Sequence, residues 1–198
     1  LHTAYRRQRQ MCIRDRPKRY IGEITLGFAT ETEDLDGTVI AEQPIKTPFS
    51  DEAIDQAIQA LNGEIEQVPP MFSAVKVAGK RLYEYARAGE TVTRPGRAAT
   101  IYDFHRTSPI TFNQAQQTFQ FEATVSKGTY IRTLAADTGK QLGVPATMTS
   151  LTRTMGSGMD LSQAVDLAQI MAMDREAVLT HVVPVSYTHL TLPTICSV

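Results

Sequence analysis

The run Ser126-Lys127-Gly128-Thr129-Tyr130-Ile131-Arg132-Thr133 places a lysine, a tyrosine and an arginine close together in the chain. An alternating apolar stretch precedes it, a helical spacing follows it, and Gly128 marks the turn between them. That order gathers Lys127, Tyr130 and Arg132 near one edge of a sheet. An arginine there can pair bidentately with a carboxylate or a phosphate, and a tyrosine can stack on a base and share a proton. Asp137, five residues from Arg132, is poorly placed to pair with it on one helix, so Arg132 must seek a partner elsewhere. The same residues also fit a plain strand–turn–helix junction carrying surface charge.

A second concentration of chemistry runs from Val75 to Arg97. Lys76, Lys80, Arg81, Arg87, Arg94 and Arg97 face only Glu84 and Glu90, with Tyr83 and Tyr85 interleaved. Positive charge supplies affinity for phosphate and tyrosine rings offer stacking platforms. Two tyrosines two residues apart cannot share one helical face, so at least one of them is structural. A third feature, Glu31, Glu33, Asp34 and Asp36, reads as the exposed acidic tip of a hairpin, with no histidine near enough to suggest metal or acid–base work.

Several function classes are excluded. Cys12 and Cys196 stand near opposite ends and His2, His105, His181 and His189 are scattered, which leaves no metal-ligand spacing and no disulfide framework. The sequence holds no nucleophile elbow, phosphate-binding loop, dinucleotide fingerprint or HExxH pair. It also lacks a long apolar run or a secretory leader, so a cytoplasmic location is expected.

The elements that must hold these residues occupy the middle of the 198-residue chain. Residues 1–17 carry five arginines, one aspartate and no periodicity; residues 186–198 are equally unpatterned. Both read as adapter-like or cloning sequence flanking the true protein rather than as part of it. Setting residues 1–17 aside leaves 15 basic against 20 acidic residues, so any affinity for nucleic acid must be local. Between the ends, Tyr20–Thr30, Phe72–Ala78, Thr100–Thr107 and Thr118–Ser126 read as strands. Helices are expected after Ser50, over Arg81–Ala88, over Tyr130–Leu142, from Asp160 to about Met171 and after Asp174. Strands dominate and helices do not follow every strand, which predicts an α+β fold with a mixed, mainly antiparallel sheet and flanking helices.

These motifs converge on a family. Lys18-Arg19-Tyr20 opening a strand resembles the KxY motif of TruB-type tRNA pseudouridine synthases. TETEDLDG after that strand, VPPMFSAVKVAGKRLYEYARAGE, SKGTYIRTLAADTGKQLG and the later SLTRT resemble the same family in the same order, across residues 18–185. The resemblance implies the pseudouridine synthase fold, here incomplete, with residues 75–97 as an RNA-binding insertion that closes over the T arm. It implies isomerisation of uridine 55 in the tRNA T loop, without metal or organic cofactor, by a protein expected to be monomeric. The target base must leave its stack to be reached.

By this resemblance Tyr20 matches the tyrosine that stacks on the target base and handles the carbon-5 proton. Arg132 matches the arginine that pairs with the nucleophilic aspartate. Tyr130 and Leu151 match positions lining the uracil pocket, and Lys76, Lys80, Arg81 and Arg87 are the expected RNA contacts. One departure bears on activity: the family's aspartate sits in a GxLDP-type motif upstream of the tyrosine, and no such motif occurs here. Asp15, in IRDRP, lacks the flanking glycine and leucine. The chain is therefore expected to be an inactive internal piece of such an enzyme, with exposed sheet edges. A non-catalytic RNA-binding module on the same scaffold is the alternative.

Overall fold

The computed structural model describes residues 16–181. Strand β1 (Lys18–Leu26) lies at the centre of a seven-stranded sheet, flanked by β9 (Gln116–Val125) and β10 (Ala146–Gly156). Beyond β9 come β7 (Arg97–Arg106) and the edge strand β4 (Gly63–Gln67); β8 (Thr111–Asn113) adds to β9, and β11 (Met159–Asp160) to the end of β10. Among the described residues every ladder is antiparallel, and a parallel bridge joins Asp34 to Met148. Two hairpins stand outside the sheet: β2 (Phe28–Thr30) with β3 (Val39–Glu42), and β5 (Lys76–Val77) with β6 (Lys80–Arg81). The expected α+β class with its antiparallel sheet is what the chain adopts.

One face of the sheet carries the core. Alternation along β9 buries Phe119, Phe121, Ala123 and Val125 while Gln120 faces solvent, the pattern of a half-buried antiparallel strand. Helix α1 (Asp51–Gln59) adds Ile54 and Ile58 to this cluster, and α3 (Ile131–Leu142) adds Ile131, Leu134 and Ala135. Phe104 and Phe121 meet edge to face with centroids 5.5 Å apart, an arrangement aromatic quadrupoles favour. Burying each of these large side chains contributes about 1.5–3 kcal/mol.

Helix boundaries follow local chemistry. Ser50 caps α1 by accepting from the Ala53 amide at 3.3 Å, and Gly143 closes α3 in the left-handed conformation at φ 71°. The short helix α2 (Leu82–Ala88) ends likewise at Gly89. Arg106 ties α1 to β7 through Asp55 at 2.8 and 2.9 Å and Asp51 at 3.0 Å.

Three expectations are corrected. Phe72–Ala78 is not one strand, because only Lys76 and Val77 pair; Pro69-Pro70 and the crossing of this segment by Arg132 hold the rest in a loop. The helix expected from Asp160 is a 3₁₀ turn (Leu161–Gln163) followed by α4 (Leu167–Ala172), whose capping box is Asp166 with Gln169. Strands β4 and β10 were not expected at all. Residues 162–181 belong to a separate compact unit, in which α4 and α5 (Arg175–His181) bury none of their residues. Among the described residues no helix is long and apolar enough to cross a membrane.

Gly139 sits inside α3, where alanine is normally the better helix former by about 1 kcal/mol. A Cβ there would meet the Val144 carbonyl oxygen at 2.5 Å and the Ala146 Cβ at 2.6 Å. Overpacking against backbone outweighs propensity. Gly139→Ala is expected to lower stability by about 1–3 kcal/mol in urea unfolding, where propensity alone would raise it.

Candidate active site around Arg132

The first turn of α3 carries Arg132, and its guanidinium is held by two distant segments. Nη1 donates to the Thr32 carbonyl and to Asp34 Oδ2, each at 2.9 Å, and Nη2 donates to the Phe72 carbonyl at 3.0 Å. The side chains of Arg132 and Asp34 are 23% and 18% exposed, so the pair is well sheltered from water. Among the described residues Nε–H and one Nη2 hydrogen have no acceptor. The partner that Arg132 lacks on its own helix is therefore Asp34.

This overturns the reading of the acidic run as an exposed hairpin tip. Glu31 and Asp36 are exposed, but Glu33 and Asp34 turn inward. Asp34 Oδ1 accepts from the Thr32 hydroxyl at 2.6 Å and from the Asp36 amide at 3.1 Å, closing the turn on itself. Glu33 accepts from the Thr133 hydroxyl at 2.8 Å. Burial raises the Glu33 carboxyl above its ordinary value; the Thr133 bond and the charges of Lys140 and Arg132 pull the other way without prevailing.

Tyr20 lies on β1 opposite Ala123 of β9 and Arg153 of β10. It points to the core side of the sheet and packs against the cluster that includes Ile131 and Leu134 of α3. Leu151 pairs with Gly22, two residues along β1, and so shares Tyr20's face. Tyr130 stands immediately before α3. It offers no side-chain cap, and its own backbone is held by Gln67. The Gln67 amide, 2% exposed, donates to the Tyr130 carbonyl at 3.2 Å and accepts from the Tyr130 amide at 2.9 Å. Sequence reasoning missed Gln67; its only signal is a polar residue directly before Val68-Pro69-Pro70.

The structure thus brings Tyr20 and Leu151 onto one face of adjacent strands, and sets Tyr130 and Arg132 at the start of the helix that covers that face. Lys76, Lys80, Arg81 and Arg87 lie apart from this cluster in sequence, on the β5–β6 hairpin and α2, and all four are exposed. Tyr83 is flanked by two guanidiniums, with Arg81 at 5.8 Å and Arg87 at 5.4 Å from its ring centroid. Tyr85 is the structural one of the two tyrosines: its hydroxyl donates to the Val77 carbonyl at 3.0 Å. Lys80 adds a contact to the Tyr85 ring at 5.4 Å and an ion pair with Glu90 at 3.8 Å. No group of histidine, cysteine and acidic residues among the described residues could hold a metal ion.

The raised Glu33 carboxyl has a consequence for stability. Its folded value lies above its unfolded one, so stability is lost as pH rises from the unfolded value through the folded one. Glu33→Gln abolishes that loss. Its stability relative to the parent chain is expected to improve between pH 4 and pH 7, read by urea unfolding at each pH; a constant difference would contradict the assignment.

The family model described as TruB family pseudouridylate synthase (N terminal domain) matches residues 6–131. The tRNA pseudouridine synthase B of Lacticaseibacillus paracasei is 54% identical over 179 residues, covering 89% of this chain and 60% of that protein. The protein of the same name from Streptococcus mutans is 51% identical over 178 residues, 90% of this chain and 61% of its own length. The chain therefore spans about three fifths of these relatives. Among solved structures, a chain of a Cbf5-Nop10-Gar1 complex superposes with a TM-score of 0.55 at 21% identity, covering 83% of this chain and 38% of that one. That likeness concerns the fold. By the family model and these relatives, the chain belongs to the TruB family of pseudouridylate synthases.

Proposed function

We propose that this chain is the central part of a tRNA pseudouridine synthase that isomerises uridine 55 in the T loop, acting as a monomer in the cytoplasm. The observation that carries the reading is the Arg132 guanidinium, fixed in place by Asp34, Thr32 and Phe72, with hydrogen-bond donors to spare. A nucleophilic carboxylate supplied from upstream of Lys18 would dock on those donors and be kept ionised by them. Tyr20, on the sheet face that α3 covers, would stack on the flipped base and take the carbon-5 proton once the base has turned and rejoined. Leu151 and Tyr130 would close the uracil pocket.

Residues 18–185 are read as the partial catalytic domain, and the flanking segments 1–17 and 186–198 as foreign; residues 1–15 and 182–198 lie outside the described residues. The GxLDP-type motif is absent from the sequence, so this polypeptide is expected to form no pseudouridine on an unmodified T-arm transcript. A chimera that joins the upstream segment of the Lacticaseibacillus paracasei relative to residue 18 is expected to regain activity. Arg132→Ala in that chimera should lose it by at least about 10²-fold, the loss of one preorganised charge contact in a site. A folded but inactive chimera would sink the catalytic reading.

The T arm is proposed to be met by the stretch from Lys76 to Arg87. Tyr83 is already engaged by Arg81 and Arg87, so the contact is expected to be to phosphate, with the ring ordering the guanidiniums rather than stacking on a base. Filter binding of a T-arm transcript across salt should therefore show a steep slope. Arg81→Ala and Arg87→Ala are each expected to lower that slope by about one ion, roughly equally for any RNA sequence. A slope unchanged by both substitutions would place the RNA elsewhere.

A further inference from the structure

In extended chain, successive side chains point to opposite sides. Glu33 and Asp34 instead reach the same turn of one helix: Asp34 meets Arg132 at 2.9 Å and Glu33 meets Thr133 at 2.8 Å. The backbone at Glu33 makes this possible by adopting φ 64°, a left-handed conformation that costs a non-glycine residue about 1 kcal/mol or more. Glu33 is also sheltered from water in a setting where burial opposes its charge. Asp137 on α3 opposes that charge as well, while Lys140 and Arg132 favour it. A half-buried carboxylate on a strained backbone is a costly way to connect a turn to a helix. The turn is already closed internally by Thr30 Oγ1 to the Asp34 carbonyl at 2.6 Å and by Thr32 Oγ1 to Asp34 Oδ1 at 2.6 Å.

We propose that Glu33 is a positioning residue, which hangs the Asp34 turn on Thr133 and so fixes the orientation in which Asp34 presents its carboxylate to Arg132. Thr133 is 3% exposed and follows Arg132 directly, so the tether is anchored one residue from the group to which Asp34 is presented. The Glu33 carbonyl accepts from the Met148 amide at 3.2 Å, which pins the same residue to β10. Glu33 is thus the point where the turn, the helix and the strand meet. What the tether needs is an acceptor at this position, not a charge. The mechanistic value of the orientation rests on the proposed role of Arg132, whereas the tether itself can be tested without turnover.

A guanidinium held in an ion pair rotates slowly about its Cζ–N bonds, and NMR resolves its Nη hydrogens. In this chain, Glu33→Ala and Thr133→Val are expected to speed rotation of the Arg132 guanidinium about tenfold, whereas Glu33→Gln, which keeps an acceptor, should leave it near the parent rate. Amide signals of β1 and β9 serve as the control for an intact sheet. If Glu33→Ala does not fold, Thr133→Val decides, since it preserves the helix and the side-chain volume. Unchanged Arg132 rotation in Thr133→Val, or a Gln variant as loose as the Ala one, would overturn the proposal. Neither result touches the pseudouridine assay of the chimera, so failure of the tether and failure of the catalytic reading are separately visible.

Discussion

The guanidinium of Arg132 is the point through which three distant parts of the chain are brought into register. It lies 98 residues from Asp34 and 60 from Phe72, and it bonds both while belonging to the helix that covers the sheet. A planar fork of fixed donors can do this where a lysine could not, since each acceptor must approach along a set direction. Two of its three acceptors are neutral carbonyls, which do not offset the cost of a sheltered cation. The Asp34 carboxylate does, and that requirement explains why the acidic turn folds inward against α3 instead of remaining in water. The helix reinforces it, because the positive end of the α3 dipole favours both carboxylates of the turn.

Around this pair, the site is assembled by a fault in the sheet. Between Glu23 and Ile24 the pairing of β1 with β10 shifts by one residue, so that Ser150 faces Glu23 while Met148 faces Ile24. Thr149 is skipped. Before the skip the core face of β10 is Ala146 and Met148; after it the core face is Leu151 and Arg153. Without the shift Leu151 would point away from Tyr20. The same irregularity that interrupts the ladder thus puts an apolar residue on the tyrosine's face, the re-aiming of a side chain that β-bulges bring about.

That shift also explains what could and could not be read from the sequence. β9 keeps one phase over its whole length and was legible residue by residue, as were the Ser50 cap and the glycine that ends α3. β10 changes phase at Thr149 and draws four threonines onto a strand with few large residues, so no single period describes it. β4, GEIEQ, carries its charges on an exposed edge and buries only Gln67. The family resemblance singled out Tyr20, Tyr130, Arg132 and Leu151, but it put Leu151 on no element, since β10 itself was not legible. It gave no hint of Gln67, whose role is to bond a backbone, or of Glu33, whose inward turn depends on one positive φ. The acidic run was misread because charge at a hairpin tip predicts exposure unless a cation lies in wait, and that cation stood 98 residues away.

The basic stretch is joined to this framework more closely than its sequence position suggests. Phe72 gives its carbonyl to Arg132; in the next residues the Ser73 carbonyl accepts from the Tyr83 amide at 3.1 Å and the Val75 carbonyl from the Leu82 amide at 2.8 Å. The start of α2 is therefore hung on the same short strap that braces the guanidinium. Tyr83 leaves that strap to lie between Arg81 and Arg87, so the strap sets the position of the charges as well as of the helix. A basic surface of this kind gains little from any one residue, because exposed charges are heavily screened. It is nonetheless held at a fixed reach from Arg132 by backbone hydrogen bonds that salt does not weaken. If RNA binds here as proposed, charge supplies the affinity and the strap decides where it is applied.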